Sequence, residues 1–247
     1  MRRMVTGMAL LMAVMCATPV MAQEYSGMTG LFHVPTAEMA PTGTARIGVY
    51  FLNKEFLPDN IKYEGEKFNT TNHFLGITPF PWIEISYVCT LLKAAKNSDE
   101  SQGVGYYQKD RHFAVKIRPL KEGKWWPAVA IGVQDPGRTI EDPDAMAAYF
   151  SNYYVTATKH LLWKGNEFGV TLAYRYYRAA YNEKWEGVAG GVSFRPKFCH
   201  DLRALVEYTG DAVNVAVDYL LLKHLFLQAG LQDGKYFTGG ACLHIYL

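Results

Sequence analysis

From Ala45 onward the chain alternates apolar and polar residues in short stretches. In 212–219, AVNVAVDY, one side of an extended chain carries Val213, Val215, Val217 and Tyr219, and the other carries Asn214, Ala216 and Asp218. In 168–176, FGVTLAYRY, Phe168, Val170, Leu172 and Tyr174 oppose Gly169, Thr171, Ala173 and Arg175. A strand turns successive side chains to opposite faces, so a period of two means two different surroundings. About twelve such segments predict an all-β chain: 45–52, 71–78, 83–91, 112–118, 127–134, 152–159, 168–176, 187–195, 202–208, 212–219, 225–231 and 237–247.

Alternation by itself fits both a soluble sandwich and a membrane barrel. Three features favour an antiparallel up-and-down transmembrane barrel. The less apolar face is rich in Gly, Ala, Ser and Thr with single charges, which suits a tight lumen better than a solvated surface. Connections also alternate in length. Long polar ones at 53–69, 92–110 and 135–151 follow the first, third and fifth segments, and shorter ones at 79–82, 119–126 and 160–167 follow the second, fourth and sixth. Long external loops and short periplasmic turns are the barrel pattern, although 209–212 and 232–236 are short where long loops are expected. The short turns carry Phe80, Trp82, Trp125, Trp126, Trp163, Phe194 and Phe198, rings suited to a membrane interface. An even strand number places both barrel ends on the periplasmic side, and a last strand running to Leu247 suits closure against the first.

The extreme N-terminus sets the compartment. Arg2 and Arg3, the apolar run MALLMAVMCA and the small-residue site before Gln23 read as a secretory signal peptide. Met15 before Cys16 argues against lipidation of that cysteine. The expected organisation is a signal peptide at 1–22, a short periplasmic or plugging lead-in at 23–44, and an outer-membrane barrel at 45–247. Without Arg2 and Arg3 the 25 Lys and Arg become 23, equal to the 23 Asp and Glu, so no net charge points to nucleic acid. Cys89, Cys199 and Cys242 are odd in number and scattered, describing neither a disulfide framework nor a zinc site. Aromatics at 14% and 22 Gly fit an exported β protein.

Motifs of chemistry are missing from the sequence. It has no G-x-S-x-G, no H-E-x-x-H and no phosphate-binding loop, and its seven His have no metal-ligand spacing. Ser86 and His112 fall on neighbouring strands, but both should face the lumen rather than one lipid-facing height. The expectation is a non-enzymatic chain with no cofactor and no metal. The lumen is the better place for a site. By facing, Arg46, Lys116, Arg118, Arg175, Arg195 and Arg203 point inward, against Glu84, Glu207 and Asp218, with Tyr50 and Tyr154 among them. They form either an ion-pair network stiffening the barrel or a basic path for an anionic sugar polymer on which Tyr50 and Tyr154 could stack.

The stretch GMTGLFHVPTAEMAPTGTARIG resembles the opening of the YjbH-like family of exopolysaccharide-biosynthesis outer-membrane proteins, through Gly30, Leu31, Pro35, Thr36, Ala37, Met39, Gly43 and Gly48. The stretches FLNKEFLP, ISYVCTLLKA, ATKHL and GKYFTGGACLHIYL resemble short members from Bacteroides-type bacteria. The resemblance implies an outer-membrane barrel of a Gram-negative cell, connected with making or exporting a surface polysaccharide or capsule. Outer-membrane lipid, an anionic polysaccharide and other envelope export proteins are its expected partners. The family includes much longer proteins, and functions tied to their extra parts are not carried over. No catalytic residue is implied by the opening motif. Pro35 and Pro41 stiffen it and Gly43 permits a tight turn into the first strand, in an anchor, a plug or a ligand-binding loop. Two alternatives stay open: a small-solute pore or structural envelope barrel, and a soluble periplasmic carbohydrate-binding β-sandwich.

Overall fold

The computed structural model describes residues 23–136, 149–178 and 180–247, so the expected signal peptide at 1–22 and most of the connection at 135–151 lie outside the described residues. Twelve strands follow one another: β1 (Thr44–Leu52), β2 (Thr70–Phe80), β3 (Ile83–Ala95), β4 (Val104–Leu120), β5 (Ala128–Gln134), β6 (Asn152–Trp163), β7 (Asn166–Tyr177), β8 (Gly187–Arg195), β9 (Leu202–Tyr208), β10 (Val213–Leu221), β11 (Leu225–Gln232) and β12 (Tyr236–Tyr246). Each pairs antiparallel with its sequence neighbours, and β1 pairs with β12, so the sheet closes on itself. The seam runs in register from Thr44 opposite Tyr246 to Phe51 opposite Gly239. Closure leaves no strand edge unpaired; the expected antiparallel up-and-down barrel of twelve strands is what forms, and the alternative of a sandwich of two packed sheets is excluded.

The end at which β1 starts and β12 finishes is termed the near mouth, and the opposite end the far mouth. The near mouth holds the short turns. The far mouth holds the connections at 53–69, 96–103 and 178–186. The expected long loop at 92–110 is mostly strand: β3 runs on to Ala95 and β4 starts at Val104, with a register shift between Leu92 and Ala94. Polar residues such as Lys109 and Asp110 had hidden a hairpin whose pairing with Leu91 and Thr90 satisfies the backbone beyond the barrel body.

Burial is inverted relative to a water-soluble β protein. On β10, Val213, Val215 and Val217 are exposed, whereas Asn214 and Asp218 are buried. The same inversion runs round the barrel through Ile47, Leu75, Ile131, Val155, Leu172, Val192, Val206, Leu227 and Leu243, all exposed. Exposed rings gather at both ends of this apolar belt. Phe80, Trp82, Trp126, Trp163 and Phe198 lie at the near mouth, and Tyr106, Tyr153, Tyr176, Tyr208 and Phe237 at the far one. Small inward residues (Ala114, Ala130, Thr156, Thr158, Thr171, Ala173, Ala189 and Ala216) leave the interior wide enough for another piece of chain.

Candidate functional site

That piece is the N-terminal lead-in, which is buried inside the barrel from Gln23 to Ala40. Two tight turns compact it. In one, Glu24 donates its N–H to the Met28 carbonyl at 3.0 Å; in the other, Leu31 donates to the Val34 carbonyl at 2.8 Å. Gly27 takes φ 81° with its Cα against the Phe74 ring and the Ser86 hydroxyl, where a Cβ would lie 2.4 Å from Phe74 Cδ2. Gly43, also at φ 81°, turns the chain out of the lumen into β1 and accepts from the Leu247 N–H at 2.9 Å.

Lumenal side chains bind this segment through its backbone. The Glu207 carboxylate on β9 accepts the N–H groups of Phe32 at 3.0 Å, His33 at 2.9 Å and Val34 at 3.0 Å, while Asn214 donates to it at 2.9 Å. Successive N–H groups converging on one anion form a backbone nest. Glu84 on β3 takes the Thr29 N–H at 2.9 Å on one oxygen and the Ala40 N–H at 2.7 Å on the other. Its charge is balanced by Lys116 at 3.1 Å and Arg46 at 3.4 Å. Lys116 also donates to the carbonyls of Thr29 at 2.9 Å and Thr36 at 3.3 Å. Arg203 pairs with Asp218, 2.8 Å from Nε and 2.5 Å from Nη2, and reaches the Gly30 and Leu31 carbonyls at 3.4 and 3.3 Å. Glu84, Lys116, Arg203 and Glu207 thus each meet both a counter-charge or polar partner and orphan backbone groups of the lead-in, the condition under which burying charge is tolerated, while Arg46 and Asp218 act as counter-charges to them.

Ten of the eleven lumenal residues singled out by facing, namely Arg46, Tyr50, Glu84, Lys116, Tyr154, Arg175, Arg195, Arg203, Glu207 and Asp218, are buried. Tyr50 donates to Gln228 at 2.6 Å and to the Gln23 carbonyl at 3.3 Å. Arg175 donates to the Thr209 carbonyl near the far mouth, and Arg195 lies 3.4 Å from Glu167 near the other. Arg118 departs from the set: it is only half-buried at the near mouth and donates to the Pro81 carbonyl at 2.7 Å. Ser86 and His112 both face inward and are not brought together. Ser86 donates to the Ser26 carbonyl at 2.7 Å, while His112 Nδ1 lies 3.2 Å from Asp110.

Uncharged residues complete the grip, and sequence reasoning passed over them. Asn72 donates to the Tyr25 carbonyl at 2.7 Å, Thr156 to the Pro35 carbonyl at 2.9 Å, and Gln228 to the Leu31 carbonyl at 2.9 Å, while Thr158 accepts the Ala37 N–H at 2.9 Å. Their signal was available in the alternation, since each shares the face of an inward charge. At the far mouth Phe56 stacks on the His33 ring with centroids 3.3 Å apart, and Tyr25 packs on Phe56 and Phe150. At the near mouth Glu38 of the lead-in meets His160 at 3.2 Å.

Two lead-in carboxyls respond oppositely to enclosure. Burial pushes Glu24 up to about 7, against the Ser26 hydrogen bond and the charges of Lys116 and Arg175. Burial also works to raise Glu38, but the hydrogen bond and charge of His160, with Arg195 and Arg203, bring it down to about 2.

The opening residues Gly30, Leu31, Pro35, Thr36 and Ala37 are therefore among the lead-in residues that the wall holds through backbone groups, and Gly43 is its hinge to β1. The family model of the exopolysaccharide biosynthesis protein YbjH matches residues 22–217. The uncharacterized lipoprotein YjbH of Escherichia coli (strain K12) is 29% identical over 164 residues, covering 66% of this chain, which spans 20% of that protein's length. Among solved structures, the outer membrane phospholipase (OMPLA) dimer with bound calcium from Salmonella typhi aligns with a TM-score of 0.36 and 11% identity, covering 83% of this chain and 91% of that one. Outer membrane phospholipase A from Escherichia coli aligns with a TM-score of 0.38 and 12% identity, covering 84% of this chain and 98% of that one. With a match that begins at the enclosed lead-in and runs over most of its length, the chain belongs to the exopolysaccharide biosynthesis YbjH family.

Proposed function

We propose that this protein is an outer-membrane barrel that takes part, without catalysis of its own, in making or exporting an exopolysaccharide, with its lumen held shut by its own N-terminal segment. The observation that carries the location is the belt of exposed Val, Leu and Ile between two rings of aromatic side chains. Such a surface is costly in water and favourable in hydrocarbon with rings at the interfaces. The process comes from the description of the family. A steady small-solute pore finds no support in a lumen filled from Gln23 to Ala40. Outer-membrane lipid is the partner of the belt in this reading, and an anionic polysaccharide and envelope export proteins are partners of the mouths.

The test is deletion of the gene in the native bacterium, with complementation, followed by quantitation of surface polysaccharide and membrane fractionation of the complemented strain. Reduced polysaccharide and recovery of the chain in the outer-membrane fraction are expected. Unchanged polysaccharide removes the assigned process, and recovery in the soluble periplasm without detergent removes the location.

A further inference from the structure

Where Glu38 reaches the near mouth, a cleft of about 190 Å³ remains between the lead-in and the wall from β4 to β8. Its charged and titratable lining is Arg118, Lys121, Arg195 and His160 with Glu38, Glu122 and Glu167. All three carboxylates are already engaged, Glu167 by Arg195. Glu122 accepts from Lys159 Nζ at 2.9 Å and the His160 N–H at 2.9 Å and lies 2.7 Å from His160 Nδ1, while Glu38 meets the other ring nitrogen. The cations are under-used. Among the described residues Arg118 forms no ion pair, and its guanidinium donates only to the Pro81 carbonyl. Arg195 is 5% exposed, its Nη1 lies a long 3.4 Å from Glu167, and its buried Nε has no hydrogen-bond partner. A guanidinium offers five N–H donors in a planar fork that matches the paired oxygens of a carboxylate or phosphate. The cleft therefore presents two incompletely used forks and an exposed ammonium beside carboxylates that retain acceptor capacity for hydroxyl groups.

We propose that this cleft binds an acidic sugar unit, with its oxyanion held by Arg118, Arg195 and Lys121 and its hydroxyls donating to Glu38 and Glu122. The ligand class rests on the exopolysaccharide reading; the oxyanion half rests on the cleft alone. The carboxylate of a uronic acid and the phosphate of a sugar phosphate offer the same chemistry to these residues, and the ligands tested separate them.

The full chain, purified in detergent micelles, is titrated calorimetrically with D-glucuronate, glucose 1-phosphate, glucose and inorganic phosphate. Saturable binding of at least one charged sugar is expected, with glucose at least about tenfold weaker, and the tighter of the two identifies the oxyanion. Arg118→Gln and the Arg118→Gln/Lys121→Gln pair, both confined to the rim, are expected to weaken that binding by about tenfold or more, and Arg195→Gln further. Because Arg195 is buried, the rim variants decide the matter if Arg195→Gln does not fold. Failure of both charged sugars to saturate, inorganic phosphate binding as tightly as either sugar, or unchanged affinity in the rim pair overturns the proposal. Absent binding alongside a clear polysaccharide phenotype sinks this site alone, whereas sugar binding without that phenotype sinks the assigned process alone.

Discussion

The backbone N–H of His33 lies 2.9 and 3.0 Å from the two carboxylate oxygens of Glu207. The side chain belongs to the barrel wall and the N–H to the segment filling it, so this one contact joins two parts of the chain 174 residues apart. Glu207→Ala leaves the N–H groups of Phe32, His33 and Val34 buried and unpaired, at about 1–3 kcal/mol for each donor that water does not reach. Limited proteolysis in micelles reads the result: cleavage within 23–40 is expected to accelerate in Glu207→Ala and to be intermediate in Glu207→Gln, which keeps an acceptor oxygen. Equal protection in all three chains would show that the nest does not hold the segment.

Removing residues 24–40 while keeping residues 1–23 and the Gly43 turn is expected to open the lumen. The exposed wall then carries Arg46, Lys116, Arg175, Arg195 and Arg203 against Glu84, Glu207 and Asp218, all buried in the full chain. Planar-bilayer recordings should show steady, anion-favouring currents for the deletion and silence for the full chain. A silent deletion variant that still migrates as a folded barrel would mean that the lumen collapses without its filling.

The lead-in carboxyls give stability a dependence on pH with two edges. Glu24 binds its proton more tightly when enclosed, so its contribution is complete below the ordinary value of 4.5 and declines as pH rises to about 7. Glu38, held down at about 2, contributes above 4.5 and loses that contribution as pH falls toward 2. Thermal melting in micelles should show the upper edge flattened by Glu24→Gln and the lower edge flattened by Glu38→Gln. Slopes unchanged from the parent would assign the dependence to other groups.

Val217 is 49% exposed in the middle of β10, where its strand neighbours are Ala204 and Ala229. If that face meets hydrocarbon, Val217→Arg costs about 2–4 kcal/mol, whereas Val217→Leu costs little. Urea titration of refolding into lipid vesicles measures both. An Arg variant as stable as the parent would place this face in water.

Much of the barrel was legible because alternation is a local property. The segments 187–195 and 202–208 coincide with β8 and β9, and the division into an apolar and a polar face could be read from Val213 to Tyr219 alone, whereas which face turns outward needed the loops and turns as well. The hairpin beyond Leu91 was not legible, since Lys109, Asp110 and Arg111 resemble a loop until their cross-strand partners are known. The inward charges were legible individually. Their purpose was not, because Glu207 acts on N–H groups carried by Phe32 to Val34, and side-chain identity does not record which backbone groups lack partners. Thr156, Thr158 and Asn72 were overlooked for the related reason that an inward hydroxyl or amide looks like lumen filler until a second chain segment lies against it.

The seam between β1 and β12 adds a constraint on assembly. Only Pro41, Thr42 and Gly43 tether the enclosed segment to β1, and the tether ends against Leu247 at the closing strand. So short a leash ties seating to zipping: the sheet has to curl round its own first residues as the last strand docks. The segment then works as a mandrel for the cylinder, and a chain that shuts without it is left with an empty bore lined by unmet charge.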